Sequence, residues 1–262
     1  MERAVLCTRP EQLRDLDAPF DRLYFGHEFC QRRLPSAADV RRAAAFAAER
    51  EAGFTLVTPF VTNAGLKRVR ELADAVCAGP HPAELVVNDW GVLRAVRAAH
   101  PGAPLILGRL LTKQKRGPRL LRIAERLPPA ARDHFRRCNA DTPRLTAFLR
   151  EQGIVRIELD NLLQGMRRPG EALPASLHYP YGYISTTRLC LFMQGDRPGK
   201  NLRSLGSCSR ECLKYDVTLR HPDMPVDLHL KGNAQFFRND TLPENLAELK
   251  ITRLVHAPRV PA

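Results

Sequence analysis

Three cysteines fall within 23 residues of this chain: Cys190, Cys208 and Cys212. The last two stand four apart in "GSCSRECLKYD", where Gly206, Ser207 and Ser209 offer no reason to bury two thiols. A C-x3-C pair on a turn lets both sulfurs face one metal centre, as in zinc and iron–sulfur sites. Cys190 ends the strand-like "YISTTRLC" and opens the same segment. The trio therefore reads as a metal clip on a stretch too polar to form a core of its own. A soft metal or cluster takes four donors, and no cysteine follows Cys212. Either His221 or His229 completes a Cys3His zinc site, or the fourth donor comes from far upstream. The upstream candidate is Cys30 in "YFGHEFCQRR", at the end of an apolar run where a buried strand empties into a loop.

The remaining cysteines carry no such pattern. Cys77 and Cys138 fall on helical stretches and Cys7 inside a strand, all three as small buried hydrophobes. Seven cysteines is an odd number, and the N-terminal "MERAVLCTRPEQLRDLD" has charges where a signal peptide would be apolar. The expected compartment is the cytoplasm, where cysteines serve as metal ligands, redox groups or packing rather than disulfides. No window approaches 18 uninterrupted apolar residues, so no membrane span is expected.

The elements that must hold these residues follow an alternating pattern. "RAVLCT" (3–8), "RLYFG" (22–26), "FTLVTP" (54–59), "ELVVND" (84–89), "PLILGR" (104–109) and "IVRIEL" (154–159) read as strands. Helical stretches separate them: 36 to 52 with Ser36 as N-cap, 64–78, the "WGVLRAVRAAH" segment, and a region of about 119 to 152 broken by Pro128, Pro129 and Pro143. The strands are continuous apolar runs, as expected when both faces of a parallel sheet are covered. Six such steps in a chain of 262 residues predict an α/β fold, a single (β/α)8-type barrel spanning 1–262; a doubly wound sheet is the runner-up. The segment of about 188–222, which carries three of the cysteines, is expected as an insertion in the last third of the barrel. Cys30 then lies at the C-terminal face, where barrel sites are built.

A net charge of +13 raises the question of nucleic acid. The basic residues are 34 Arg and 7 Lys spread over nearly every segment, which reads as compositional bias and diffuse surface charge rather than a footprint.

In "DRLYFGHEFCQRR", "FTLVTP", "ELVVNDWGVL", "LHYPYGYISTTRLC", the C-x3-C pair and "LHLKGNAQ", the chain resembles the collagenase-like peptidase family of unassigned catalytic type (family U-thirty-two). It is most similar to the UbiV-type branch, iron–sulfur accessory proteins of oxygen-independent ubiquinone biosynthesis. It departs from that branch in the longer stretch between Cys190 and Cys208 and in the basic "GRLLTKQKRGPR" loop. The resemblance implies a barrel-like fold and a [4Fe–4S] cluster on Cys30, Cys190, Cys208 and Cys212, with zinc as the alternative metal. It also implies a paralogous protein partner in a heterodimer, an organic substrate such as a quinone precursor, and hydroxylation without molecular oxygen.

Arg32, Arg33, Arg188 and Arg210 flank the four cysteines and would offset thiolate charge. His27, Glu28, Asn88, Asp89 and Arg109, at strand C-termini, are the candidate pocket; Asn88 and Asp89 serve equally well as helix caps. Lys113, Lys115, Arg116 and Arg119 either hold an anionic substrate or are solvated. Two other classes compete. RNA modification, known in the family, is compatible with the charge. Hydrolysis, which the family name suggests, lacks a G-x-S-x-G elbow and an H-E-x-x-H helix.

Overall fold

The computed structural model describes residues 1–78, 83–193 and 208–261. Strands β1 (Glu2–Cys7), β2 (Arg22–Gly26), β3 (Gly53–Val57), β4 (Glu84–Val87), β5 (Leu105–Leu107), β6 (Ile154–Asp160) and β7 (Ala175–Tyr179) come first. An excursion follows, with β8 (Tyr181–Thr186), β9 (Val217–Leu219), β10 (Leu228–Lys231) and β11 (Ala234–Arg238), and β12 (Ile251–His256) is last. β1 to β7 and β12 run parallel and close into an eight-stranded barrel, β12 pairing with both β7 and β1. This is the expected (β/α)8-type architecture, and the doubly wound alternative is excluded by the closure.

Strands β1 to β5 are largely apolar on both faces, for the reason the continuous runs suggested. Val5, Cys7, Leu23, Phe25, Leu56, Leu85 and Leu107 point outward into the layer shared with the helices. Ala4, Leu6, Tyr24, Val57, Val86, Ile106 and Val255 alternate with them and fill the barrel interior. The interior also holds a polar layer. Tyr24 donates to Glu158 at 3.0 Å, and Arg253 donates to Tyr24 at 2.7 Å and to both oxygens of Glu84 at 2.7 and 3.0 Å. Arg253 and Glu84 supply each other's counter-charge, the condition under which charged groups are stable away from water.

Helices cover one part of the ring. They are α1 (Ala37–Ala48), α2 (Asn63–Cys77), α3 (Trp90–Ala99), α4 (Leu120–Ala124), α5 (Pro129–His134) and α6 (Pro143–Glu151), all between β2 and β6. Ser36 starts α1 through a capping box, its Oγ accepting from Asp39 N at 3.1 Å. After β6 the described residues contain no further α-helix. The connection from β7 to β12 instead forms a separate antiparallel sheet of order β8-β11-β10-β9. It occupies Tyr181 to Arg238, a wider span than the expected insertion at 188–222, because β8, β10 and β11 pair with one another and not with the barrel. Residues 194–207 of that insertion lie outside the described residues.

This sheet is seated over the C-terminal mouth of the barrel by an aromatic cluster. Phe29, just past β2, meets Tyr183 of β8 at 5.3 Å and Phe236 of β11 at 5.2 Å between ring centroids. All three are buried, with Ala234 and Leu110 beside them. Asn233 fastens the same contact, donating from Nδ2 to Phe29 O at 2.6 Å and Thr187 O at 2.7 Å.

Candidate thiol centre

β2 ends at Gly26, whose φ of +133° and close approach to Val57 O exclude any Cβ. The turn it makes sends His27, Phe29 and Cys30 over the barrel mouth. A short 3-10 turn, Gln31–Arg33, follows Cys30 and carries two arginines. On the other side, Cys208 and Cys212 flank Arg210, which adopts φ +61°, ahead of a second 3-10 turn, Glu211–Leu213.

These elements border one cavity of about 120 Å3. Cys30, Cys190, Cys208 and Cys212 all line it, with His27, Phe29, Phe60, Met193, Gly232 and three arginines, Arg32, Arg33 and Arg188. The chain thus brings one thiol from its first strands together with three from its last third. No carboxylate lines the cavity among the described residues. Cys30 is raised above the ordinary thiol value by burial. The Arg32 backbone N–H opposes this, and the neighbouring Cys190, Cys212 and Cys208 push it further up. Cys190 is likewise raised by burial. The His27 ring is pushed down to about 3 by burial, with a smaller contribution from Arg33.

The arginines are placed by their own contacts. Arg33 is 8 % exposed and donates from Nη1 to Cys212 Sγ at 3.3 Å. Arg32 reaches Met193 Sδ at 3.7 Å, and the Arg188 guanidinium stands 5.5 Å from the centre of the Phe60 ring. Arg210 does not line the cavity; its backbone N–H donates to Cys208 Sγ at 3.4 Å.

Of the five candidate pocket residues, His27 lines this cavity and the other four are turned to other work. Glu28 forms a bidentate pair with Arg109, whose Nη1 continues to Asp160 at 2.9 Å; Asp160 also accepts from Arg116 Nε. All four are buried, and Arg109 and Asp160 also bond the backbone of β8 at Tyr181 O and Tyr183 N. This two-plus-two network ties sheet to barrel, and sequence reasoning missed Asp160, which ends a strand like the residues it did choose. Asn88 is buried, bridging Thr58 O and Leu110 N at 2.9 and 3.0 Å. Asp89 caps α3, accepting from Gly91 N at 2.7 Å and Val92 N at 3.3 Å.

The basic loop divides in the same way. Arg116 is buried in the ion network, while Lys113 and Lys115 border a separate, open cavity of about 1070 Å3 between α5, α6 and residues 167–172. His221 and His229, the candidate zinc ligands, do not line the thiol cavity. His221 turns to Asp223, and His229 lies on β10 against Tyr181. Among the described residues no three His, Cys, Asp or Glu side chains are grouped as ligands of a single ion.

No family model matches the chain, and no curated protein matches it. A similar solved structure is that of the U32 peptidase Mk0906. It is 11% identical at a TM-score of 0.49, covering 100% of this chain and 94% of that one. No described helix is long and apolar enough to cross a membrane.

Proposed function

We propose that this protein holds a [4Fe–4S] cluster on Cys30, Cys190, Cys208 and Cys212 and serves as an iron–sulfur redox component. The observation that carries the reading is the convergence of these four thiols, from opposite ends of the chain, on one cavity whose charged lining groups, among the described residues, are arginines. The donor set fits the group. Four soft thiolates are the usual holders of such a cluster, and arginines offset the negative charge they bring. Gly232 adds room: a Cβ there would stand 3.3 Å from Cys212 Cβ and 3.7 Å from its Sγ, crowding that ligand. A single zinc draws its donors to about 2.3 Å from one centre, whereas each iron of the cluster takes one thiolate, which suits thiols spaced around a cavity. When bound, the cluster supplies one-electron transfer. The chain's own groups bind it, neutralise it and, through Phe29, Tyr183 and Phe236, keep water from its barrel side.

The finer reading is oxygen-independent hydroxylation of an organic substrate, a quinone precursor or a relative, in company with a paralogous partner. Its support is the sequence resemblance, together with the proposed cluster's claim on all four cavity cysteines, which leaves none of them over as a hydrolytic nucleophile.

Anaerobic purification with iron, sulfide and zinc analysis tests the core of this. The expected result is a brown protein with about four irons per chain. A colourless protein carrying one zinc would overturn it.

A further inference from the structure

His27 is 1 % exposed and lines the thiol cavity. Its Nδ1 accepts two backbone N–H groups, from Phe29 at 3.3 Å and from Cys30 at 3.2 Å. A ring nitrogen that accepts carries no proton, so in the neutral imidazole the proton is on Nε2. Nε2 is on the far edge of the ring from the loop that Nδ1 braces. It is buried and has no hydrogen-bond partner among the described residues. Buried donors are almost always satisfied by protein, water or a ligand. The same geometry excludes Nε2 as a metal ligand: that role needs the proton on Nδ1, where it would face two N–H donors.

We infer that the His27 Nε2–H donates a hydrogen bond to a sulfur of the cluster held by Cys30, Cys190, Cys208 and Cys212, and so sets its reduction potential. This rests on the cluster reading above. Reduction adds one electron and negative charge to the cluster, and a fixed donor at a sulfur stabilises that charge more in the reduced state. The donor therefore raises the potential. The arrangement links ligation to tuning, because Nδ1 of the same ring organises the backbone N–H of Cys30.

Two variants separate the two edges of the ring. In His27→Asn the side-chain oxygen accepts the same local backbone N–H groups, as in an Asx turn, and the Nε2 donor is gone. In His27→Gln an amide N–H is returned near the Nε2 position. Each protein is reconstituted anaerobically, assayed for iron and sulfide, and titrated with dithionite in the presence of redox mediators while the reduced cluster is followed by electron paramagnetic resonance. The expected result is wild-type iron in both variants, a more negative potential in His27→Asn, and a potential near wild type in His27→Gln. An unshifted potential in His27→Asn with full iron overturns the assignment. So does loss of iron from both variants, which makes His27 a ligand or a fold element. Wild-type protein that takes up no iron under the same reconstitution instead overturns the cluster reading itself.

Discussion

The Arg33 guanidinium donates to the Cys212 sulfur at 3.3 Å, joining residues 179 apart in sequence. Arg33 is buried, three residues beyond Cys30, so the loop that supplies the first thiol also supplies a cation to the last one. Charge-assisted contacts of this kind fix the orientation of the group they reach. Replacing Arg33 by Met keeps most of the packed stem and removes the charge. Arg33→Met is expected to weaken cluster retention by roughly 10–100-fold, the usual effect of removing such a partner. The rate of iron loss to a chelator, compared with wild type, measures it; equal rates would contradict the role.

The proposed cluster divides the cysteines into ligands and packing. Cys30→Ala should lose nearly all bound iron and the brown colour, while Cys77→Ala, outside the cavity on α2, should keep both. Iron analysis of the two variants side by side decides it, and equal iron in both would remove Cys30 from the ligand set.

Cys7 and Cys138 are buried, and burial pushes both thiols up to about 12. With so little thiolate at neutral pH, neither is expected to react with iodoacetamide in the folded protein at about pH 8, near the ordinary thiol pKa. Both should react once the chain is unfolded in urea. Peptide mapping by mass spectrometry reads this directly, and rapid native labelling of either residue would contradict their burial.

Asn233 is the clasp between sheet and barrel, donating from one nitrogen to Phe29 O and Thr187 O. Asn233→Ala leaves those carbonyls without their donor, at a cost of about 1–3 kcal/mol. A lower urea midpoint at an unchanged slope is the expected outcome; an unaltered midpoint would mean the contact contributes nothing to stability.

Asp160 lies between Arg109 and Arg116 with no exposed surface. Burial works to raise its pKa, but Arg116 and Arg109 outweigh burial and hold it below the unfolded value of 3.8. A depressed folded value means stability that is present above pH 3.8 and is lost as the pH falls through the folded pKa. Glu84, held below 4.5 against burial by Arg253 and Arg22, has the same sign. Asp160→Asn should therefore cost about 3–5 kcal/mol at neutral pH by leaving two buried cations short of charge. It should also flatten the acid limb of stability below about pH 4. Thermal melts from about pH 3 to neutrality check both, and an acid limb as steep as wild type would contradict the assignment.

Much of the framework was legible in the residues alone. Continuous apolar runs marked β1 to β6, because a strand covered on both faces needs no polar alternation. Ser36 and Asp89 announced the starts of α1 and α3 through short-range capping that needs no tertiary partner. The C-x3-C pair was recognisable for the same reason: its spacing is local. The roles of Glu28, Asn88 and Arg109 were not legible, since their partners lie 81, 22 and 51 residues away and only barrel closure selects them. The same limit applied to β8, β10 and β11. Their extended character was plain, but whether they join the barrel or pair among themselves is settled by long-range hydrogen bonding.

By itself, then, the sequence determined the parallel barrel, its helix starts and the cysteine trio, all of which follow from periodicity and near-neighbour chemistry. Only the tertiary structure decided that Cys30 shares a cavity with that trio, that Arg33 faces Cys212, and that the His27 ring turns one nitrogen to its own loop. The physical reason is closure. A cyclic parallel sheet sets the end of β2 beneath the excursion between β7 and β12, and the Phe29–Tyr183–Phe236 packing holds the two together across the barrel mouth.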